Sequence, residues 1–110
     1  MNYQHKQLAA GRWNELSFFE QMANIGSEIE RTITWKKKGN TQYSHLAFER
    51  ALELLDLTIN TSSNKSRLKE LTRLRETLTD YFVFDNSYGS TDQSWQRYFY
   101  AFSYAARLDR

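Results

Sequence analysis

The chain has 110 residues, with 15 lysines and arginines against 13 aspartates and glutamates and a formal net charge of +2. This near-balance excludes the strongly basic composition that by itself would argue for a nucleic-acid-binding domain. Cysteine and proline are absent and glycine occurs only 4 times, so disulfide frameworks and thiolate metal sites are excluded and an all-β chain would lack its punctuation.

No apolar run approaches the ~20 residues of a membrane span. Met1–Gln7 is polar, without the apolar segment of a secretory signal. A cytoplasmic protein with no membrane partner is expected. Residues 1–12 read as an arm, with Leu8–Gly11 as a short helical turn, and residues 13–110 as one helical domain.

The first long helix opens near Trp13, capped by Asn14, or one turn later by Ser17, which has capping-box spacing to Glu20. Phe18, Met22, Ile25, Ile29 and Ile33 recur at steps of three and four, with Leu16 and Phe19 widening the stripe, while Glu20, Asn24, Ser27, Glu28 and Arg31 take the opposite face. Lys36–Lys38 suits the negative end of the helix dipole, and Gly39 is a ready C-cap. Gly26, in mid-helix, costs about 1 kcal/mol relative to alanine, a cost that either a close crossing by another helix or a large ring above it, Trp95 or Phe99, would explain.

Asn40 or Thr41 caps a second helix reaching about Ile59, with Tyr43, Ala47, Ala51, Leu54 and Thr58 on one apolar ridge and Phe48, Leu52, Leu55 and Ile59 beside it. Glu49, Glu53 and Asp56 are expected to form an acidic, solvated strip. After the polar break Asn60–Asn64 a third helix runs from Lys65 to Phe84, with Leu68, Leu71, Leu74, Leu78, Tyr81 and Phe82 inward. Asp85–Gly89 ends it, and Ser90–Gln93 has the spacing of a second capping box.

The last helix places six aromatics in the ten residues Trp95–Tyr104, more than one face can hold. If Trp95, Phe99, Phe102 and Ala106 point inward with Tyr98 and Ala105 at the edge, then Arg97, Tyr100, Tyr104 and Arg107 form one outward ridge. Four amphipathic helices with short breaks predict an all-α, antiparallel up-down-up-down four-helix bundle. Ile25, Ile29, Leu55, Leu78, Phe99 and Phe102 are its expected core.

Chemistry-bearing patterns are sparse. The only histidines are His5 and His45, with no Gly-x-Ser-x-Gly turn and no glycine-rich phosphate loop. His45, Glu49 and Glu53 fall at i, i+4 and i+8, but the Glu-x-x-His pairs of di-iron bundles are missing, so a wetted helix face is expected rather than a metal site. Asp85, Ser87 and Asp92 around Gly89 miss the calcium-loop spacing by one residue at the glycine and put Gln96 where a glutamate belongs. Lys65, Arg67, Lys69, Arg73 and Arg75 make the first half of the third helix basic, spread around it and interrupted by Glu70 and Glu76.

The segments Trp13–Ser17, Asn24–Glu28 and Asp85–Asp92 resemble a group of small bacterial and archaeal proteins to which no activity is attached. In general shape the chain is similar to small prokaryotic four-helix bundles, including the HEPN class and the ribosomal intervening-sequence proteins, which often work on or beside RNA. HEPN nucleases carry an arginine followed within four to six residues by a histidine near the last helix. Here the last helix has Arg97 and Arg107 but no histidine, and Arg31 lies far from His45, so the resemblance carries over architecture and no catalytic residue.

The expectation is a non-enzymatic interaction protein, a homo-oligomer or the small subunit of a larger assembly, with no cofactor, no catalytic residue and no metal. Its interaction surface is Arg97, Tyr100, Tyr104 and Arg107, because tyrosine and arginine are enriched at interface hot spots. One alternative is an RNA- or DNA-handling accessory protein, with Lys65, Arg67, Lys69 and Arg73 as further contacts. The other is a bundle metal protein or enzyme around His45 and Glu49.

Overall fold

Ser17 decides where the first long helix begins. Its hydroxyl accepts the Glu20 amide at 3.1 Å, while the Glu20 carboxylate accepts the Ser17 amide at 3.0 Å, so each side chain satisfies the other residue's otherwise orphaned amide N–H. In the computed structural model, which describes residues 11–108, this helix is α1, Phe18–Lys37. It is followed by α2, Thr41–Thr61, α3, Lys65–Phe82, and α4, Asp92–Leu108. All the regular structure among the described residues is helical, and residues 1–10 of the expected arm, 1–12, lie outside them.

The remaining boundaries follow from short polar side chains. Asn40 and Asn64 cap α2 and α3 by accepting the amides of Tyr43 and Arg67, each at 3.0 Å. Thr91 caps α4, and the box is closed by Ser94: the Ser94 amide donates to Thr91 Oγ1 at 3.0 Å and the Thr91 amide to Ser94 Oγ at 2.9 Å. That sets the box one residue later than Ser90–Gln93. α1 ends where Gly39 takes a φ of +77°, a conformation that disfavours a Cβ, and α3 stops at Phe82, two residues short of expectation.

Residues 12–15 are not part of the long helix. They form a 3₁₀ turn, Arg12–Glu15, that carries Trp13 into the core. The indole N–H donates to Thr58 Oγ1 at 3.0 Å and the Trp13 carbonyl accepts the Gln21 side-chain amide at 3.0 Å. This polar lock lets a large ring be buried without leaving its N–H unpaired.

α1 is the central helix, and both α2 and α4 pack along it, while α3 packs along α2. Ser44 Oγ of α2 donates to the Thr32 carbonyl of α1 at 2.9 Å, and Arg50 of α2 reaches Glu28 at 3.0 Å. Arg75 of α3 grips Asp56 of α2 with two hydrogen bonds, 2.8 and 3.3 Å. On the other side of α1, Asp92 of α4 meets Lys36, Gln96 meets Glu30, and Phe102 meets Phe18. The apolar stripes merge into one core of Met22, Ile25, Ile29, Leu55, Leu71, Leu78 and Phe99 among others, and the radius of gyration is 13.7 Å, close to the ~13 Å of a compact 100-residue domain.

Gly26 is the seat of α4. A Cβ built on it lies 2.8 Å from Phe99 Cβ and 3.0 Å from Phe99 Cγ, so the missing side chain lets α4 approach α1 through the root of Phe99. Phe102 departs from expectation: it is only half-buried, like Ala106. It lies beyond the Gly26 crossing, where it joins Phe18 and Phe19 at ring distances of 6.0 and 6.4 Å in an aromatic cluster at the bundle's rim.

Two polar positions also differ from the pattern. Glu28, on the face read as solvated, is buried and shared between Arg31 at 2.8 Å and Arg50 at 3.0 Å. Glu53 is buried and Asp56 half-buried, so the acidic strip of α2 shrinks to Glu49. A step of four residues drifts around the helix by about 40°, and over two steps this carries Glu53 off the face of His45 and Glu49.

Phe99→Ala should destabilise the fold by about 3–5 kcal/mol, the range for a core phenylalanine, and Phe102→Ala by clearly less, in urea unfolding. Gly26→Ala should also destabilise, by about 1–2 kcal/mol, because overpacking against the root of a ring costs about 1–3 kcal/mol while helix propensity returns only about 1 kcal/mol. A Gly26→Ala chain more stable than wild type would mean the α1–α4 crossing is looser than described.

Candidate functional site

The amphipathic pattern of α4 has a specific outcome. With Trp95 and Phe99 buried and Tyr98 and Phe102 half-buried, Arg97, Tyr100, Tyr104 and Arg107 all lie exposed. Tyr100 is 63% and Tyr104 52% exposed. From Asp92 onward α4 carries no further carboxylate, so the ridge is cationic and aromatic. Carboxylates nevertheless stand on both flanks. On the α1 side Gln96 Nε2 donates to Glu30 at 3.2 Å. On the α3 side burial, aided by the charge of Glu70, pushes the Tyr98 hydroxyl up to about 12.

The basic set of α3 is divided. Lys65, Lys69 and Arg73 follow at four-residue steps and are exposed, whereas the Arg67 guanidinium stacks on the Phe18 ring, 3.8 Å from its centroid. That stacking is a cation–π contact tying α3 to the start of α1, and it takes Arg67 away from the Lys65–Arg73 line. His45 and Glu49 are both exposed, and no group of three metal-ligating side chains occurs among the described residues. His45 does border a small pocket of about 180 Å³ with Lys36, Ser44 and Phe48.

Two features are built by residues that periodicity does not single out. The first is a polar node where α1, α3 and the start of α4 meet. Tyr81 Oη donates to Asp92 Oδ1 at 2.6 Å, and Lys36 Nζ donates to the same oxygen at 3.2 Å and to Tyr81 Oη at 3.3 Å. Partial burial works to raise the Asp92 carboxyl, but the hydrogen bonds from Tyr81 and Lys36 and the charges of Lys36 and Lys37 outweigh it, leaving the carboxyl below its ordinary value. Lys36 is lowered by burial but raised more by its bonds to Tyr81 and Asp92.

The second is the loop between α3 and α4. The Asp80 carboxylate accepts the amides of Ser87 at 2.9 Å and Tyr88 at 3.1 Å. Asn86 sits at a φ of +54°; its side chain donates to the Ser90 carbonyl at 2.9 Å and accepts the Ser90 amide at 2.8 Å. Asparagine tolerates this left-handed conformation because its short amide bonds locally. Asp85 is exposed while Asp92 belongs to the node, so the acids that suggested a calcium loop serve different neighbours. The loop also holds Phe84 and Tyr88 out of the core, 69% and 63% exposed.

Comparison of the chain with protein-family models, with curated proteins and with solved structures finds no match. The function must therefore be argued from these surfaces alone.

The node sets one pH dependence. A carboxyl held below its unfolded value contributes stability above about pH 3.9 that is lost as pH falls through the folded value. Asp92→Asn should lower stability at neutral pH and flatten the acid limb of a stability–pH profile, since the carboxyl titration is removed. An unchanged acid limb in the variant would show that Asp92 is not coupled to folding.

Proposed function

We propose that this chain is a non-enzymatic interaction protein, an antiparallel up-down-up-down four-helix bundle that assembles with copies of itself through the outer ridge of α4. The observation that carries the reading is the exposure of Tyr100 and Tyr104 between Arg97 and Arg107 on a helix whose other face is seated on α1. A tyrosine pair on a rigid helix offers large contact area at small entropic cost, and the flanking guanidinium groups supply directional hydrogen bonds.

The antiparallel order is supported by the cross-helix pairs. Thr32–Ser44 and Glu28–Arg50 run in opposite senses along α1 and α2, and Trp13, in the turn just before α1, continues the order by meeting Thr58 near the end of α2. Arg75–Asp56 and Phe82–Phe48 do so for α2 and α3, and Asp92–Lys36, Gln96–Glu30 and Phe102–Phe18 do so for α1 and α4. Lys36, Tyr81, Asp92 and Glu28, the side chains best able to do chemistry, are bound to one another or to arginines. That supports a scaffold rather than a catalyst, and the cysteine-free composition suits a reducing cytoplasm.

A second reading, single-stranded nucleic acid stacked on the two tyrosines, is favoured by the exposed Lys65, Lys69 and Arg73. Glu30 and Glu70 beside α4 weigh against it, because a phosphate chain following the ridge would pass both carboxylates.

Tyr100→Ser with Tyr104→Ser should reduce the light-scattering mass to that of a single chain, with the helical circular dichroism unchanged and stability within about 0.5 kcal/mol of wild type, as for other exposed positions. A wild-type chain that is monomeric at high micromolar concentration, or a double variant that keeps the wild-type mass, would overturn self-assembly through the ridge. Salt-sensitive binding of single-stranded RNA lost in the double variant would put the second reading in its place.

A further inference from the structure

The α3–α4 corner carries a groove of about 600 Å³ lined by Thr72, Glu76, Thr79, Phe84, Ser87 and Tyr88. That volume lies within the ~300–1,000 Å³ range of small-molecule pockets, but the groove is open and its apolar wall is two rings standing in solvent. Exposed aromatics grouped on one surface are a recurrent sign of an interaction site. Here they are also held in place: Asp80 takes the Ser87 and Tyr88 amides, and Asn86 closes on Ser90 through both atoms of its side-chain amide. A loop tied at four hydrogen bonds loses little freedom on binding, which lowers the entropic cost of docking.

The charge on this corner is opposite to that of the ridge. Arg75, on the groove wall, is engaged with Asp56 of α2. Glu76 on the groove and Asp85 in the adjoining loop are exposed and have no ion-pair partner among the described residues. Arg75, next to Glu76 in sequence, is taken by Asp56, and Arg73, three residues before Glu76, is the next cation on α3. The molecule therefore presents an aromatic surface edged with exposed carboxylates and an aromatic surface edged with exposed arginines, neither set in an ion pair among the described residues, and the two share no residue.

We propose that the occupant of the groove is the α4 ridge of a second copy of this chain, so that self-association is head-to-tail rather than ridge against ridge. The proposal rests on the reading of the ridge as an interaction surface and names what that surface meets. Each end of the ridge offers the same unit, an arginine three residues from a tyrosine, Arg97 with Tyr100 and Arg107 with Tyr104. The tyrosine ring enters between Phe84 and Tyr88 and the guanidinium pairs with Glu76. Two ridges facing one another across a two-fold axis would instead bring four arginines together, with Asp92, bound in the node, as the one carboxylate of each α4 and only the flanking Glu30 and Glu70 to offset them. A heterologous contact of this kind propagates, closing into a ring or growing as a chain according to the rotation between neighbours.

The test uses two full-length variants, each lacking one surface: the ridge variant Tyr100→Ser/Tyr104→Ser and the groove variant Phe84→Ser/Tyr88→Ser. All four positions are exposed, and circular dichroism checks that both variants fold. Each variant alone should be monomeric by light scattering, and an equimolar mixture should reach twice the monomer mass and stop there, because each heterodimer has used its only complete pair. Likewise Glu76→Arg alone and Arg97→Glu/Arg107→Glu alone should each lose assembly, and mixing them should not restore it beyond the one contact in which both partners carry reversed charges. A groove variant that still assembles like wild type, while the ridge variant does not, would overturn the head-to-tail contact and leave the ridge reading standing. Wild-type monomers, or a ridge variant that assembles normally, would remove both.

Discussion

The missing side chain at Gly26 governs more of this molecule than any single contact of the core. It lets the root of Phe99 settle on the backbone of α1, and a contact so close fixes both the depth and the rotation of α4. Once Phe99 is seated, Trp95 is committed to the interior, Tyr98 and Phe102 to the edges, and Arg97, Tyr100, Tyr104 and Arg107 to solvent. A larger residue at 26 would lift α4 or turn it, and the exposed ridge would change its membership. The surface proposed to bind is thus set by a packing contact on the opposite side of the same helix.

The end of α3 and the start of α4 are fixed by polar rather than apolar chemistry. Asp80 and Asn86 replace helical hydrogen bonds where the chain must reverse, and Tyr81, Lys36 and Asp92 tie the new helix back to α1. The loop in between is therefore a continuation of the framework, and it spends its two large rings, Phe84 and Tyr88, on the surface. Apolar side chains displayed by well-bonded backbone are costly in water, which is the physical reason for reading them as a binding feature rather than as a leftover of folding.

Much of the fold was legible because it depends on periodicity and on caps. The four helices, the Ser17–Glu20 box, the ring over Gly26 and the outward set on α4 all follow from spacing. The errors share a cause: spacing alone does not say how far a neighbouring element reaches. Glu28 and Glu53 read as solvated because they lie off the apolar stripe, yet Arg50 crosses from α2 to cover Glu28. Trp13 read as a helix start because nothing local reveals that Thr58, 45 residues away, accepts its indole N–H. Phe102 keeps the correct face but lies past the crossing, where the bundle thins. The groove at Phe84 and Tyr88 was invisible since it is made by a turn conformation; the one local signal was Asp80 followed by Asn86 and Gly89, a pattern able to hold a bonded reversal.

The three tryptophans occupy three different electrical and solvent environments. Trp13 is buried with its N–H bonded to a hydroxyl, and Trp35 is half-exposed, edge-on to Tyr43 with the Lys38 ammonium 5.1 Å from its ring centroid. Trp95 is buried on α4, and its Nε1 has no hydrogen-bond partner among the described residues. Indole emission responds to polarity and to nearby charge, so the intrinsic fluorescence is a sum of three separable signals, one from the amino-terminal lock, one from the α1–α2 bend and one from the helix that carries the ridge. The chain thus contains its own optical probe of whether α4 is docked, without any label attached to the surface whose binding is in question.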